Sequence, residues 1–180
     1  MVSIHQRFVS VTAVVGCCSI LLGCAWPFGA NGPKDVRVTS VSEVDFKDQP
    51  EIEYVSQKPR PSIILSRIDF STHMDLLALA KKYEYNVGFA IGPCSKDGVV
   101  DNGKGLGYVY WDKGIIYAHT RDKDVPGYAE MAAKRQPFTY HVYAGKLPQG
   151  PSVSLCLTLR GGNMVGGRLR SNDAEIPVRP

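Results

Sequence analysis

The strongest constraint in this sequence is alternation. Val153, Leu155, Leu157 and Leu159 alternate with Ser154, Cys156 and Thr158, and Val87, Phe89 and Ile91 alternate with Gly88 and Ala90. Successive side chains of a strand point to opposite faces, so a two-residue period with one apolar phase marks a half-buried strand. Gly107 to Trp111, the tight turn Asp112-Lys113-Gly114, and Ile115 to His119 form a hairpin pattern of aromatic, β-prone residues. Ser62 to Phe70, rich in Ile and Leu, reads as a buried strand, and Phe138 to Ala144 and Ser152 to Leu159 as two more. Met164 to Arg170 and Ile176 to Val178 add an edge strand each. Strands joined by short turns pair antiparallel.

One helix interrupts the strands. Thr72 is its predicted cap, with Asp75 three residues on in a capping-box-like pattern. Met74, Leu76, Leu77, Leu79, Ala80 and Tyr83 make a broad apolar stripe, while Lys81, Lys82 and Glu84 face out, and the pattern stops near Tyr85-Asn86. A second, short helix is expected between Asp124 and Gln136, with Pro126 in its first turn and Pro137 ending it. The fold class expected is therefore α+β: an antiparallel, sandwich-like sheet with one main helix and one short helix.

The beginning of the chain has a different character. Arg7 is followed by an apolar stretch from Phe8 to Leu22, diluted by Ser10, Thr12, Gly16 and Ser19, which is too short for a membrane-spanning helix of about 20 apolar residues. It ends in Leu21-Leu22-Gly23-Cys24. This tetrapeptide resembles the lipobox of bacterial lipoproteins, in which a small residue precedes the cysteine that is acylated and becomes the first residue of the mature chain. The resemblance implies a signal peptide over 1–23, lipid on Cys24, and attachment to a membrane through acyl chains. Ala25 follows the cysteine, and by analogy with enteric-type lipoproteins the absence of Asp there points to the outer membrane, with the body facing the periplasm. Residues 24–60, broken by Trp26-Pro27-Phe28-Gly29, Asn31-Gly32-Pro33 and Lys58-Pro59-Arg60-Pro61, read as a lipidated tether, in which the loosely spaced Val36, Val38, Val41 and Val44 allow one short strand. The remaining 61–180 reads as a single globular domain.

On that processing, Cys17 and Cys18 leave with the signal peptide and Cys24 carries lipid, so Cys94 and Cys156 remain in an oxidising compartment. One Cys94–Cys156 disulfide is expected, with two free buried thiols as the alternative. The formal net charge of +4 is too small to signal a nucleic-acid partner. Arg160, Arg168, Arg170 and Arg179 form a mild cluster that fits a solvated face or a partner-binding patch.

Motifs for chemistry are sparse. Gly103-Lys104-Gly105-Leu106-Gly107 precedes a strand, whereas a phosphate loop must open a helix whose amides hold the anion. Asp97, Asp101 and Asn102 lack the spacing and closing Glu of a calcium loop. His73, His119 and His141 stand next to no nucleophile motif, and no zinc-ligand spacing occurs. No metal, cofactor or catalytic set is therefore expected. The feature left is the long connection Gly92 to Gly105, since long loops in compact domains are usually functional or disordered. Its Lys96, Asp97, Asp101, Asn102 and Lys104, with Tyr108 and Tyr110 following, are the candidate partner-binding residues. The functional expectation is a non-enzymatic, membrane-anchored periplasmic binding protein, such as an immunity or inhibitor lipoprotein acting against an envelope-targeting toxin or hydrolase. The alternative is a structural or assembly lipoprotein of an envelope machine such as a secretion system.

Overall fold

A computed structural model describes residues 32–53, 56, 58–95, 107–111, 114–116, 130, 133, 137–148, 154–164 and 166–177. In chain order these form β1 (Arg37–Asp45), a 3-10 turn (Phe46–Asp48), β2 (Ile64–Thr72), α1 (Leu76–Tyr83), β3 (Asn86–Pro93), β4 (Val109–Trp111), β5 (Gly114–Ile116), β6 (Phe138–Gly145), β7 (Leu155–Gly162) and β8 (Arg168–Ile176). A five-stranded sheet, ordered β1-β2-β6-β4-β5, faces a three-stranded sheet, ordered β3-β7-β8, and the strands of both pair antiparallel. The fold is thus an α+β sandwich. The expected second helix and the C-terminal half of the β4–β5 hairpin partner fall outside the described residues, apart from Glu130 and Ala133.

Alternation builds the core as the sequence pattern requires. Ile68, Phe70, Tyr140, Val142, Val109 and Ile116 point inward from the larger sheet, and Val87, Phe89, Leu157, Leu159, Leu169 and Ile176 from the smaller one. Helix α1 inserts Leu76, Leu77 and Ala80 into the same core. Its cap is Asp75, whose side chain accepts from Ala78 N at 2.9 Å, and not Thr72. Thr72 ends β2 and donates to Asp35 at 2.7 Å, so its hydroxyl serves a long-range tie instead. Leu76 N, an orphan donor of the first helical turn, is satisfied by Tyr140 Oη at 3.0 Å. The helix stops where Glu84 adopts the left-handed conformation, φ 54°, and Tyr85 N bonds to Ala80 O at 3.0 Å.

Two differences from the sequence reading concern boundaries. Residues 32–53, assigned to the tether, belong to the folded body, because β1 pairs with β2 along its whole length. Gly32 itself is packed: a Cβ there would stand 2.2 Å from Arg170 O. The two C-terminal edge strands are instead one nine-residue strand, β8, whose polar middle, Ser171-Asn172-Asp173, hides its continuity in the sequence.

The sheets meet along both sides. On one side Val36 N donates to Asn172 Oδ1 at 2.9 Å and Asn172 Nδ2 donates to Val36 O at 3.0 Å, joining the lead into β1 to β8. On the other side Gly88 of β3 bridges to Tyr108, just before β4. The disulfide expected from cysteine usage is present: Cys94, just past β3, is bonded to Cys156 of β7 with Cα atoms 5.0 Å apart, 62 residues apart in sequence.

Candidate functional site

The inward phase of β6 is Phe138, Tyr140 and Val142, so Thr139, His141 and Tyr143 face away from the core. Tyr110 of β4 is paired with His141, and Asp69 and Arg67 of β2 are paired with His141 and Tyr143. A polar and aromatic row therefore lies on the outer face of the five-stranded sheet. It is nevertheless buried: His141 is 2% exposed and Tyr110 4%. The segment after β1 covers it. Asp45 caps the 3-10 turn through Lys47 N at 3.1 Å and accepts from Ser62 Oγ at 2.5 Å. Arg60 then clips the segment in place, donating to Gln49 O at 2.9 Å and Ile52 O at 2.6 Å while lying 5.1 Å above the Phe46 ring.

That cover delivers Gln49 and Glu51 to the row. The Glu51 side chain is 7% exposed, with Oε1 4.0 Å from His141 Nε2. Tyr143 Oη donates to Glu51 and stands 2.9 Å from Gln49 Oε1. Arg67 Nη2 lies 3.5 Å from His141 Nδ1, and Arg67 Nε is 3.0 Å from Asp69 Oδ1, which Ser40 also serves through the second oxygen at 2.7 Å. An arginine donor at Nδ1 leaves the imidazole proton on Nε2, on the side of Glu51. The rings pack closely: Tyr110 stacks on His141 at 5.6 Å between centroids, and Tyr143 meets both rings edge-on at 5.3 Å. Burial, with the Glu51 charge adding to it, pushes the Tyr110 phenol up to about 12. Burial and the hydrogen bond to Glu51 push Tyr143 higher still. Both phenols therefore keep their protons at neutral pH, and Tyr143 donates its proton to the Glu51 carboxylate.

Beside this cluster opens a groove of about 440 Å³, lined by Phe46, Ile52, Ile63, Leu65, Tyr108 and Tyr143 among others, with Glu53 on its wall. Tyr108 is 50% exposed. Gly107 precedes it because the Phe89 ring lies underneath, 2.7 Å from where a Cβ would sit. Of the residues expected to bind a partner, Tyr108 thus presents surface, whereas Tyr110 does not. Its side chain follows the outward phase of β4 into the covered cluster, where it is buried in packing while still lining the wall of the groove. Lys96, Asp97, Asp101, Asn102 and Lys104 lie outside the described residues, as do Cys24, His119 and Arg179. His73, at 70% side-chain exposure, pairs with Asp35 at 2.5 Å, remote from His141. Among the described residues no group of three or more His, Cys, Asp or Glu comes together in a way that would hold a metal ion.

The sequence reading missed Glu51, Gln49 and the outward role of His141 and Tyr143. The only available signal for the last two was their shared phase in Phe138 to Ala144. What the fold and this face define is a disulfide-bridged, two-sheet β-sandwich with a covered tyrosine–histidine–glutamate cluster beside an apolar groove. No protein-family model, curated protein or solved structure matches the chain.

Proposed function

We propose that this chain is a lipid-anchored periplasmic binding protein that holds a protein partner in the groove of its five-stranded sheet, in the manner of an immunity or inhibitor lipoprotein. One observation carries the reading. Among the described residues the exposed large hydrophobic side chains are Ile63, Ile64, Tyr108 and Met164, and two of them, Ile63 and Tyr108, line this groove while Ile64 follows in the chain. Apolar and aromatic surface gathered beside a concavity is the composition of an interface core. The neighbouring cluster supports binding over chemistry, since its phenols are held protonated and its histidine is enclosed by Arg67, Glu51 and two rings. Gly107, which follows the five polar candidates in the chain, lines the same groove.

The test is site-specific photocrosslinking in the producing cell, with the reactive side chain at Ile63 or Tyr108 and, as control, at Thr139. A single defined protein adduct from the groove positions alone is expected. With that partner in hand, Tyr108→Ala should weaken binding about 30-fold or more, the loss typical of one hot-spot residue, with an unchanged melting temperature. Wild-type affinity of Tyr108→Ala, or adducts from the control position only, would place the interface elsewhere. Acylation is read separately, from the mass of the Cys24 peptide and from loss of membrane attachment in Cys24→Ser.

A further inference from the structure

Three arginines of the smaller sheet share one face. In the β7–β8 register Arg160 stands opposite Arg170, and Gly162 opposite Arg168. Leu159 and Leu169 point into the core, so the alternate residues Arg160, Arg168 and Arg170 take the outer face. Arg168 is exposed, and the Arg170 side chain is 44% exposed, with Asp173 3.5 Å from its guanidinium. Gly88 is the partner of Arg160 on β3, and a groove of about 440 Å³ beside it is lined by Gly88, Gly107, Tyr108, Gly161 and Gly162 among others.

The chain enters the body beside these arginines. Gly32 packs against Arg170, and Lys34 Nζ donates to Arg170 O at 3.0 Å, which brings a fourth cation to the same place. Between Cys24 and Gly32 lie only residues 25–31. Even fully extended, that length of chain reaches no further than about 29 Å. Acyl chains on Cys24 would therefore hold this end of the body near the headgroups, and not at the end of the long tether that residues 24–60 would have made. Trp26 and Phe28 within the connection are residues that favour the bilayer interface.

We propose that the arginine face docks on the membrane surface, its guanidiniums binding the phosphates of anionic phospholipid headgroups. The inference rests on the lipid-anchor reading of Cys24. Guanidinium forks match phosphate oxygens in pairs, and the anchor turns docking into an event at high local concentration. Each basic residue near an anionic surface strengthens attachment by about fivefold. The groove beside Arg160 and the apolar groove share Gly107 and Tyr108, so the two surfaces meet at that edge of the sandwich.

The test uses the full acylated protein reconstituted in vesicles of phosphatidylcholine alone or with added phosphatidylglycerol. Phenylglyoxal labels exposed guanidinium groups, and peptide masses report each arginine. Labelling of Arg168 and Arg170 should fall about fivefold or more when phosphatidylglycerol is present, and recover in high salt as surface charge is screened. Equal labelling in the two vesicle types overturns the proposal. Protection that appears only on adding a soluble periplasmic fraction makes the face a protein interface and overturns it as well. A Cys24 peptide without acyl mass removes the anchor and this inference with it, and that failure is read independently of the labelling.

Discussion

On the outside of the five-stranded sheet Tyr110, His141 and Tyr143 lie ring against ring beneath residues 46–53, with Glu51 among them. On the outside of the three-stranded sheet the outward positions are Gly88, Ala90 and Gly92 on β3 and Cys156, Thr158 and Arg160 on β7. Both are outward phases of antiparallel strands, yet they call for different supports. Large rings and a buried carboxylate need a cover that excludes water and supplies donors, and the chain provides one from a segment distant in sequence. The small residues of the three-stranded sheet are buried too, with Ala90, Cys156 and Thr158 at 5% exposure or less. There the stabilising device is covalent, the bridge from Cys94 to Cys156, which leaves backbone and guanidinium groups at the surface. One face is thus held by a network of rings and a buried carboxylate, and the other by a covalent bridge with short hydrogen bonds from Thr158 to Asp173 and from Ser154 to Glu175.

The comparison is broken most severely by removing that bond. Cys156→Ser reopens a loop spanning 62 residues and should lower unfolding stability by about 4 kcal/mol. Urea unfolding of the variant and of reduced wild type should agree, and a loss under about 1 kcal/mol would mean that packing alone holds the smaller sheet. A smaller effect is expected on the covered face. Tyr143→Phe withdraws the phenol that donates to Glu51 and should cost about 2 kcal/mol, because the carboxylate loses a donor without regaining water. Adding Glu51→Gln to that variant should recover part of the loss. If the single substitution is neutral, solvent already reaches the carboxylate.

The smallest effect sharpens the contrast through pH. The Tyr110 phenol is raised from 10.0 to about 12, chiefly by burial. A raised value means that the stabilisation is fully present below the unfolded value and is lost as pH climbs through the folded one. Stability should therefore hold to about pH 10 and decline by on the order of 1 kcal/mol by pH 12 from this residue. Ultraviolet titration of tyrosinate in the native protein should show late ionisation, and Tyr110→Phe should remove one late phenol. Ionisation of all tyrosines near pH 10 before unfolding would show the cluster to be wet.

Much of the scaffold was legible in the residues. The two-residue period of Val87 to Ile91 and of Leu155 to Leu159 gives both the strands and the side chains that reach the core. The apolar stripe of α1 and the pairing of Cys94 with Cys156 also follow from sequence patterns. β1 was obscured by its own geometry. Its register shifts between Val38 and Ser40, so Val38 and Val41 both pack on the core although two residues separate them, and simple alternation fails. The site was less legible because it is assembled from long-range meetings. Glu51 sits in a proline-flanked stretch with no local pattern and reaches Tyr143 across 92 residues of sequence. Nothing near either residue announces the other.

The lead into β1 has a mechanical consequence. Lys34 is tied to Arg170, Asp35 accepts from Thr72 and from His73 N at 2.7 and 2.8 Å, and Val36 is held twice by Asn172. Three consecutive residues are thus fastened alternately to the two sheets. Tension applied at Gly32, the direction from which any N-terminal anchor would pull, is divided between both layers before it reaches the β1–β2 ladder. Load applied there enters as shear across these side-chain ties before it can peel the edge strand β1.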